Sequence, residues 1–189
     1  MKKHSGRLQG SGLWASLGIA CVLLALSGGS VLAAHVTVPK AGFSLDYPDP
    51  WQVNTHILAL DGPLFLTNFP PGEYRHGGHL PPGGIEINVL ALPATEDEDR
   101  ILVPGVPASS SKVTKSTQTI ATRPVRRADF DFHFDDRTTY PATSLVVRMP
   151  AKVFRILVTY EHVPSAQDKA GVEAALSQIV SSLSTSGTR

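Results

Sequence analysis

The run Gly42-Phe43-Ser44-Leu45-Asp46-Tyr47-Pro48-Asp49-Pro50-Trp51 sets the reading of the fold. Phe43, Leu45 and Tyr47 alternate with Ser44 and Asp46, so one face of an extended strand is apolar. Two prolines then turn the chain, and Trp51 opens a second strand that runs to Thr55. A short strand at Leu64–Asn68 follows the Asp61-Gly62-Pro63 turn. Phe69 to Gly84 holds four prolines and five glycines, a composition that sustains neither a ladder nor a helix and therefore reads as a loop. Ile85–Leu92 is apolar except for Glu86 and Asn88, the pattern of a central strand covered on both faces.

The second half is more regular. Ala94–Val103 admits two readings. One is a helix capped by Thr95, with Glu96, Asp97, Glu98 and Asp99 at the positive end of its dipole. The other is a solvated acidic loop. Pro104 to Ser111 is a linker rich in proline and serine. Strands at Ser116–Thr122, Val125–Phe134, Ser144–Met149 and Val153–Tyr160 then form a meander. In the second of these, Phe130, Phe132 and Phe134 face one way, while Asp129, Asp131, His133 and Asp135 face the other. The closing helix is capped by Ser165, with Asp168 in the reciprocal position of a capping box. Its residues Val172, Leu176, Ile179, Val180 and Leu183 line one stripe that must lie on the sheet. Strands with helices packed on them make an α+β domain: an antiparallel sheet closed by a C-terminal amphipathic helix.

Upstream of the opening run, residues 1–34 have the pattern of a secretory signal. Lys2, Lys3 and Arg7 form a basic start, Leu13–Leu26 is an apolar stretch broken only by Ser16 and Gly18, and Val31-Leu32-Ala33-Ala34 offers a small-residue cleavage site. Cleavage after Ala33 fits best. The alternative is an uncleaved anchor over residues 13–34, close to the roughly 20 residues a bilayer needs. In that case the protein meets a membrane only through this segment. Cys21 leaves with the signal, so the exported chain has no disulfide. All 16 acids lie beyond residue 34 against 14 of the 17 basic residues, so the exported part carries 14 − 16 = −2. That balance gives no footprint for nucleic acid and no polybasic membrane surface. The organisation expected is a signal peptide at 1–34, a short leader at 35–40, one domain at 41–183 and a disordered tail at 184–189. The destination expected is periplasmic or extracellular.

The pattern Phe-x-Leu-x-Tyr-Pro-x-x-Trp, here Phe43, Leu45, Tyr47, Pro48 and Trp51, resembles the start of PsbP-like domains, whose fold is shared with the Ran-binding Mog type. The resemblance spans residues 41–183 and takes in the strand at Ile85–Leu92, the meander and the final helix. It implies a curved antiparallel sheet flanked by helices. The long Pro/Gly loop at 69–84 departs from a minimal version of that fold. No motif carries photosystem or Ran binding across, and fold alone does not transfer function.

Candidate chemistry is sparse. Glu73, His76 and His79 in the 69–84 loop supply a carboxylate and two imidazoles, ligands suited to zinc or copper. The competing reading is a solvated loop, with Arg75 adding an unfavourable charge beside any cation. His35 would chelate copper only if cleavage left it at the N-terminus. The stripe Asp129, Asp131, His133 and Asp135 spaces its groups roughly 6.5–7 Å apart, too far to converge on one ion, and reads as a charged face whose acids pair with Arg126, Arg148 or Arg155. There is no Gly-x-Ser-x-Gly elbow, no His-Glu-x-x-His and no phosphate-cradling glycine loop, and Ser109-Ser110-Ser111 has no evident base. The function expected is a non-catalytic binding or accessory domain of the cell envelope that needs no cofactor, its partner an envelope protein or a small ligand. The alternatives are a metal- or small-ligand-binding protein using the 69–84 loop, and an enzyme of undefined class.

Overall fold

A computed structural model describes residues 33–54, 62–104 and 113–185. The signal segment up to residue 32, the end of the second expected strand at Thr55, most of the linker after Pro104 and the last four residues lie outside the described part. Ten strands, two α-helices and two short 3-10 turns are described.

Three strands form a small antiparallel sheet. β1 (Ala33–Val38) and β2 (Phe43–Pro48) are joined by a tight turn, with Gly42 N–H donating to the Pro39 carbonyl at 3.1 Å and Gly42 at φ 63°. β10 (Ser184–Thr185) pairs with the other side of β2, so the order is β1-β2-β10. β1 thus takes in residues 35–38 of the leader at 35–40, and β10 the first two residues of the segment expected as a tail at 184–189. The reason is visible in β1: Val36 and Val38 turn inward while His35 and Thr37 stay outside, the same period-2 pattern as its partner. Its closeness to the cleavage motif hides that pattern.

The main sheet has seven antiparallel strands in the order β3-β4-β5-β9-β8-β7-β6. These are β3 (Gln52–Val53), β4 (Leu64–Thr67), β5 (Ile85–Pro93), β6 (Thr114–Ile120), β7 (Arg123–His133), β8 (Thr139–Arg148) and β9 (Lys152–Tyr160). Trp51 N–H donates to the Pro48 carbonyl at 3.1 Å across the turn that leads into β3, where Asp49-Pro50 is cis.

The register sorts side chains between two faces. Ile85, Ile87 and Val89 of β5, Phe154, Ile156 and Val158 of β9, and Leu145 and Val147 of β8 share the first face. Onto it pack β2, through Phe43 and Leu45, and helix α2 (Ala166–Ser182), through Val172, Ala175, Leu176, Ile179 and Val180. The capping box expected at Ser165 is present: its hydroxyl accepts from Asp168 N–H at 3.1 Å and its own N–H donates to the Asp168 carboxylate at 2.8 Å.

The second face carries Ala128 and Phe130 of β7, Ala142 and Val146 of β8, and Val153 and Leu157 of β9. Helix α1 (Glu98–Leu102) covers part of it through Ile101 and Leu102. The helical reading of Ala94–Val103 therefore holds over five residues, but its cap is Asp97, which accepts from Asp99 N–H at 2.9 Å. Thr95 is not the cap because the chain is still turning there, with Glu96 N–H bonded to the Pro93 carbonyl at 3.1 Å.

Candidate functional site

The 69–84 loop folds down onto the second face at the end opposite to α1. Proline-started 3-10 geometry gives a turn at Pro71–Glu73, and a second turn follows at His76–Gly78, where Gly77 and Gly78 sit at φ 80° and 82°. Those left-handed values favour glycine, which explains the Gly-Gly pair. Four contacts fix the loop's base: Asn68 Nδ2 donates to the Gly83 carbonyl (3.2 Å), Ile85 N–H to Asn68 Oδ1 (2.7 Å), Glu161 N–H to the Gly84 carbonyl (2.9 Å), and Gly83 N–H to Glu161 Oε2 (3.2 Å). Phe69, Leu80 and Tyr140 form a small buried cluster with Tyr74 packed against it.

Between this loop and the sheet lies a cavity of about 190 Å³. Phe65, Leu80, Phe132, Phe134, Tyr140 and Leu157 supply its apolar wall, and Glu86, Asn88 and Thr159 its polar groups. The size exceeds the ~150 Å³ of an engineered apolar cavity that holds benzene. Phe134 closes one side, tilted against His79 with ring centroids 4.9 Å apart, yet remains 39% exposed. Glu86 accepts a 2.5 Å hydrogen bond from the Tyr74 hydroxyl. Burial pushes the Glu86 carboxyl above its ordinary range, partly offset by that bond. Burial, then the Glu86 charge, pushes the Tyr74 phenol up, so it stays a donor at every accessible pH.

Of the metal candidates, His79 is committed elsewhere. Its Nδ1 lies 3.2 Å from the Tyr140 hydroxyl and its Nε2 3.4 Å from Asp135 Oδ2. Glu73 ends the first 3-10 turn on the exposed surface, and the side chain of His76 is not among the described groups. Among the described residues no three His, Cys, Asp or Glu side chains gather as an ion site. His35 stands on β1 opposite Asp46, with Nδ1 2.6 Å from its Oδ1.

The acidic stripe separates into different jobs. Asp135 leaves the strand and closes a turn, accepting from Arg137 N–H (2.8 Å) and Thr138 N–H (2.7 Å). The first of these holds its carboxyl below the usual range, with the second and nearby His79 adding to the effect. His133 meets Thr139 Oγ1 at 3.3 Å. Asp129 takes the Thr143 hydroxyl at 2.6 Å and Arg127 Nε at 3.2 Å, while Arg127 Nη1 reaches Glu173 of α2 at 2.5 Å. These groups, with Tyr160 and Lys169, line an open depression of about 450 Å³ between α2 and the first face. Burial pushes the Tyr160 phenol to about 12.

The partners expected for these acids are corrected here. Arg126 and Arg148 sit on the opposite face and bond to Asp99 and Glu98 of α1, and Arg155 shares that face. Arg126 and Asp129 are three residues apart on one strand, and odd separations point to opposite faces. The sequence reading also passed over Arg127, Thr143 and Glu173. The signal it did hold was Glu86 and Asn88, two polar residues at alternate positions of an otherwise apolar strand.

No family model matches this sequence, and no curated protein matches it significantly. Solved structures do. The Ran-binding protein Mog1p of Saccharomyces cerevisiae is 14% identical, with a TM-score of 0.52 over 84% of this chain and 98% of that one. That likeness shows the fold, which is of the Mog type. A Bacteroides thetaiotaomicron protein aligns at 17% identity and TM-score 0.47, over 82% of this chain, which spans only 48% of that protein's length. PsbP of Synechocystis aligns at 9% identity and TM-score 0.37, over 84% of this chain and 95% of the other.

Proposed function

We propose that this is an exported, non-catalytic binding domain that takes a small, largely apolar ligand in the cavity beneath the 69–84 loop. The observation that carries the reading is that cavity: a pocket walled by aromatic and aliphatic side chains with a few polar groups, held by a loop tied to the sheet at its base. Binding is favoured over chemistry by the state of the polar groups nearby. Glu86 is engaged by Tyr74, His79 by Tyr140 and Asp135, and in the depression on the other face Arg127 is matched by Asp129 and Glu173. Where a hydroxyl and a carboxylate do meet, Thr143 on Asp129 at 2.6 Å, the same carboxylate is also held by Arg127 at 3.2 Å. The secretory pattern at 1–34 supports export to the periplasm or the exterior. Cleavage after Ala33 would leave Ala34–Val38 of β1 to pair with β2.

The test is an amide-resolved NMR titration with a neutral apolar probe, 3-phenylpropanol. Shifts are expected at Leu80, Phe134 and Thr159, and Leu157→Phe, which fills the cavity, should weaken binding at least tenfold while the domain stays folded. Shifts confined to other surfaces, or binding indifferent to the filled cavity, would refute the reading.

A further inference from the structure

Three buried polar atoms have no hydrogen-bond partner among the described residues: Asn88 Oδ1, Ser144 Oγ and Arg155 Nε. The register puts all three side chains on the second face of the sheet. Asn88 and Ser144 both stand opposite Leu157, on the strands to either side of it, and Arg155 is two residues from Leu157 on the same strand. Unmatched buried polar atoms are rare, and each costs desolvation that a hydrogen bond would offset. Three within one pleat repeat, beside a cavity that Asn88 and Leu157 themselves line, mark a place and not a scatter of accidents.

Arg155 is the unusual member. The other arginines of that face, Arg126 and Arg148, are each held by carboxylates of α1, whereas no anion pairs with Arg155 among the described residues. Burial alone acts on its guanidinium, pulling it below its ordinary value. A half-buried, uncompensated cation costs stability, and structural arginines are normally paired. The group can be retained where a ligand brings the missing charge.

We propose that Arg155 is the anion anchor of the cavity, and that the ligand is a small monocarboxylate with an apolar body. The body fills the space between Leu80, Phe132, Phe134 and Leu157, and the carboxylate meets Arg155, with Ser144 and Asn88 offering further hydrogen bonds. One guanidinium with two neutral neighbours suits a single negative charge. A phosphate ester would bring a second charge with nothing here to match it. This rests on the cavity being the binding site.

The experiment compares 3-phenylpropionate with 3-phenylpropanol on the full chain and on Arg155→Met, which keeps the apolar stem and removes the charge. Amide shifts and the Arg155 Nε–H resonance report binding. The carboxylate should bind at least tenfold more tightly than the alcohol and move the Nε–H signal. Arg155→Met should lower carboxylate affinity at least tenfold, leave the alcohol unchanged, and melt at the same temperature as the parent or higher without ligand. An arginine with a purely structural role would instead melt lower when replaced. Equal affinity for the two probes, or carboxylate binding untouched by Arg155→Met, overturns the Arg155 assignment alone. Failure of both probes to perturb the cavity overturns the cavity reading and this inference with it.

Discussion

Phe43→Ala is the sharpest test of how the two sheets hold together. Phe43 is fully buried on β2 and meets Phe154 of the main sheet edge-on, with ring centroids 5.4 Å apart and planes at 77°. Truncating a buried phenylalanine costs about 3–5 kcal/mol, of which an aromatic pair accounts for roughly 0.5–1.5. Taking ~4 kcal/mol against a total stability of roughly 5–15, the variant loses a quarter or more of the folding free energy. At about 2–4 °C per kcal/mol for a domain of this size, the melting temperature falls by roughly 8–16 °C. With a urea m-value of ~2 kcal/mol/M, the midpoint falls by about 2 M. The assay is urea denaturation followed by Trp51 fluorescence in the chain lacking residues 1–33, where Trp51 is the remaining tryptophan and is 7% exposed. Phe43→Leu keeps most of the apolar volume and should cost under ~1.5 kcal/mol. A loss below ~1 kcal/mol for Phe43→Ala, or equal losses for both variants, would show that β2 is not anchored to the main sheet through this ring.

Ser165→Ala removes one half of the capping box and should cost ~1 kcal/mol in thermal denaturation. The Ser165 hydrogen bonds, side chain first, hold the Asp168 carboxyl below its ordinary range. The stability this supplies is therefore present above the unfolded carboxyl value and disappears as pH falls through the lower folded one, so the variant's deficit should shrink in acid. Glu86→Gln tests the opposite sign. Its carboxyl is raised by burial, so its favourable contribution exists below the ordinary value of 4.5 and is lost as pH rises through the higher folded one. Gln can still accept from Tyr74, so the variant should gain on the parent progressively as pH rises from 4.5, and a gap constant with pH would contradict the burial of that group. N-terminal sequencing of protein recovered from the periplasm or medium should begin at Ala34; recovery of uncleaved chain in the membrane fraction would favour the anchor instead.

Where local pattern decides structure, the sequence was readable. The Ser165–Asp168 box and the stripe from Val172 to Leu183 needed only spacing, and so did the alternation in β7. β1 was harder, because Ala33-Ala34 reads first as a cleavage site and the strand has only Val36 and Val38 to turn inward. The sites required tertiary information. Arg127 and Glu173 meet 46 residues apart across a helix and a sheet, which no spacing rule encodes. The unmatched state of Arg155 depends on which arginines the acids of α1 capture. Strand parity alone, however, would have excluded Arg126 as a partner for Asp129.

The placement of β2 has a consequence for how the chain comes to be folded. Its neighbour β10 and its cover α2 follow the meander in the sequence, and the Ser44–Ser184 hydroxyl contact joins residues 140 positions apart. The β1–β2 hairpin therefore completes the burial of its apolar side only once the meander, α2 and β10 have all been made. Until then the first strands wait as an open, two-stranded ribbon too small to be stable by itself. The first strands of the fold thus finish packing after elements far behind them in the sequence, while the strands of the main sheet pair among themselves.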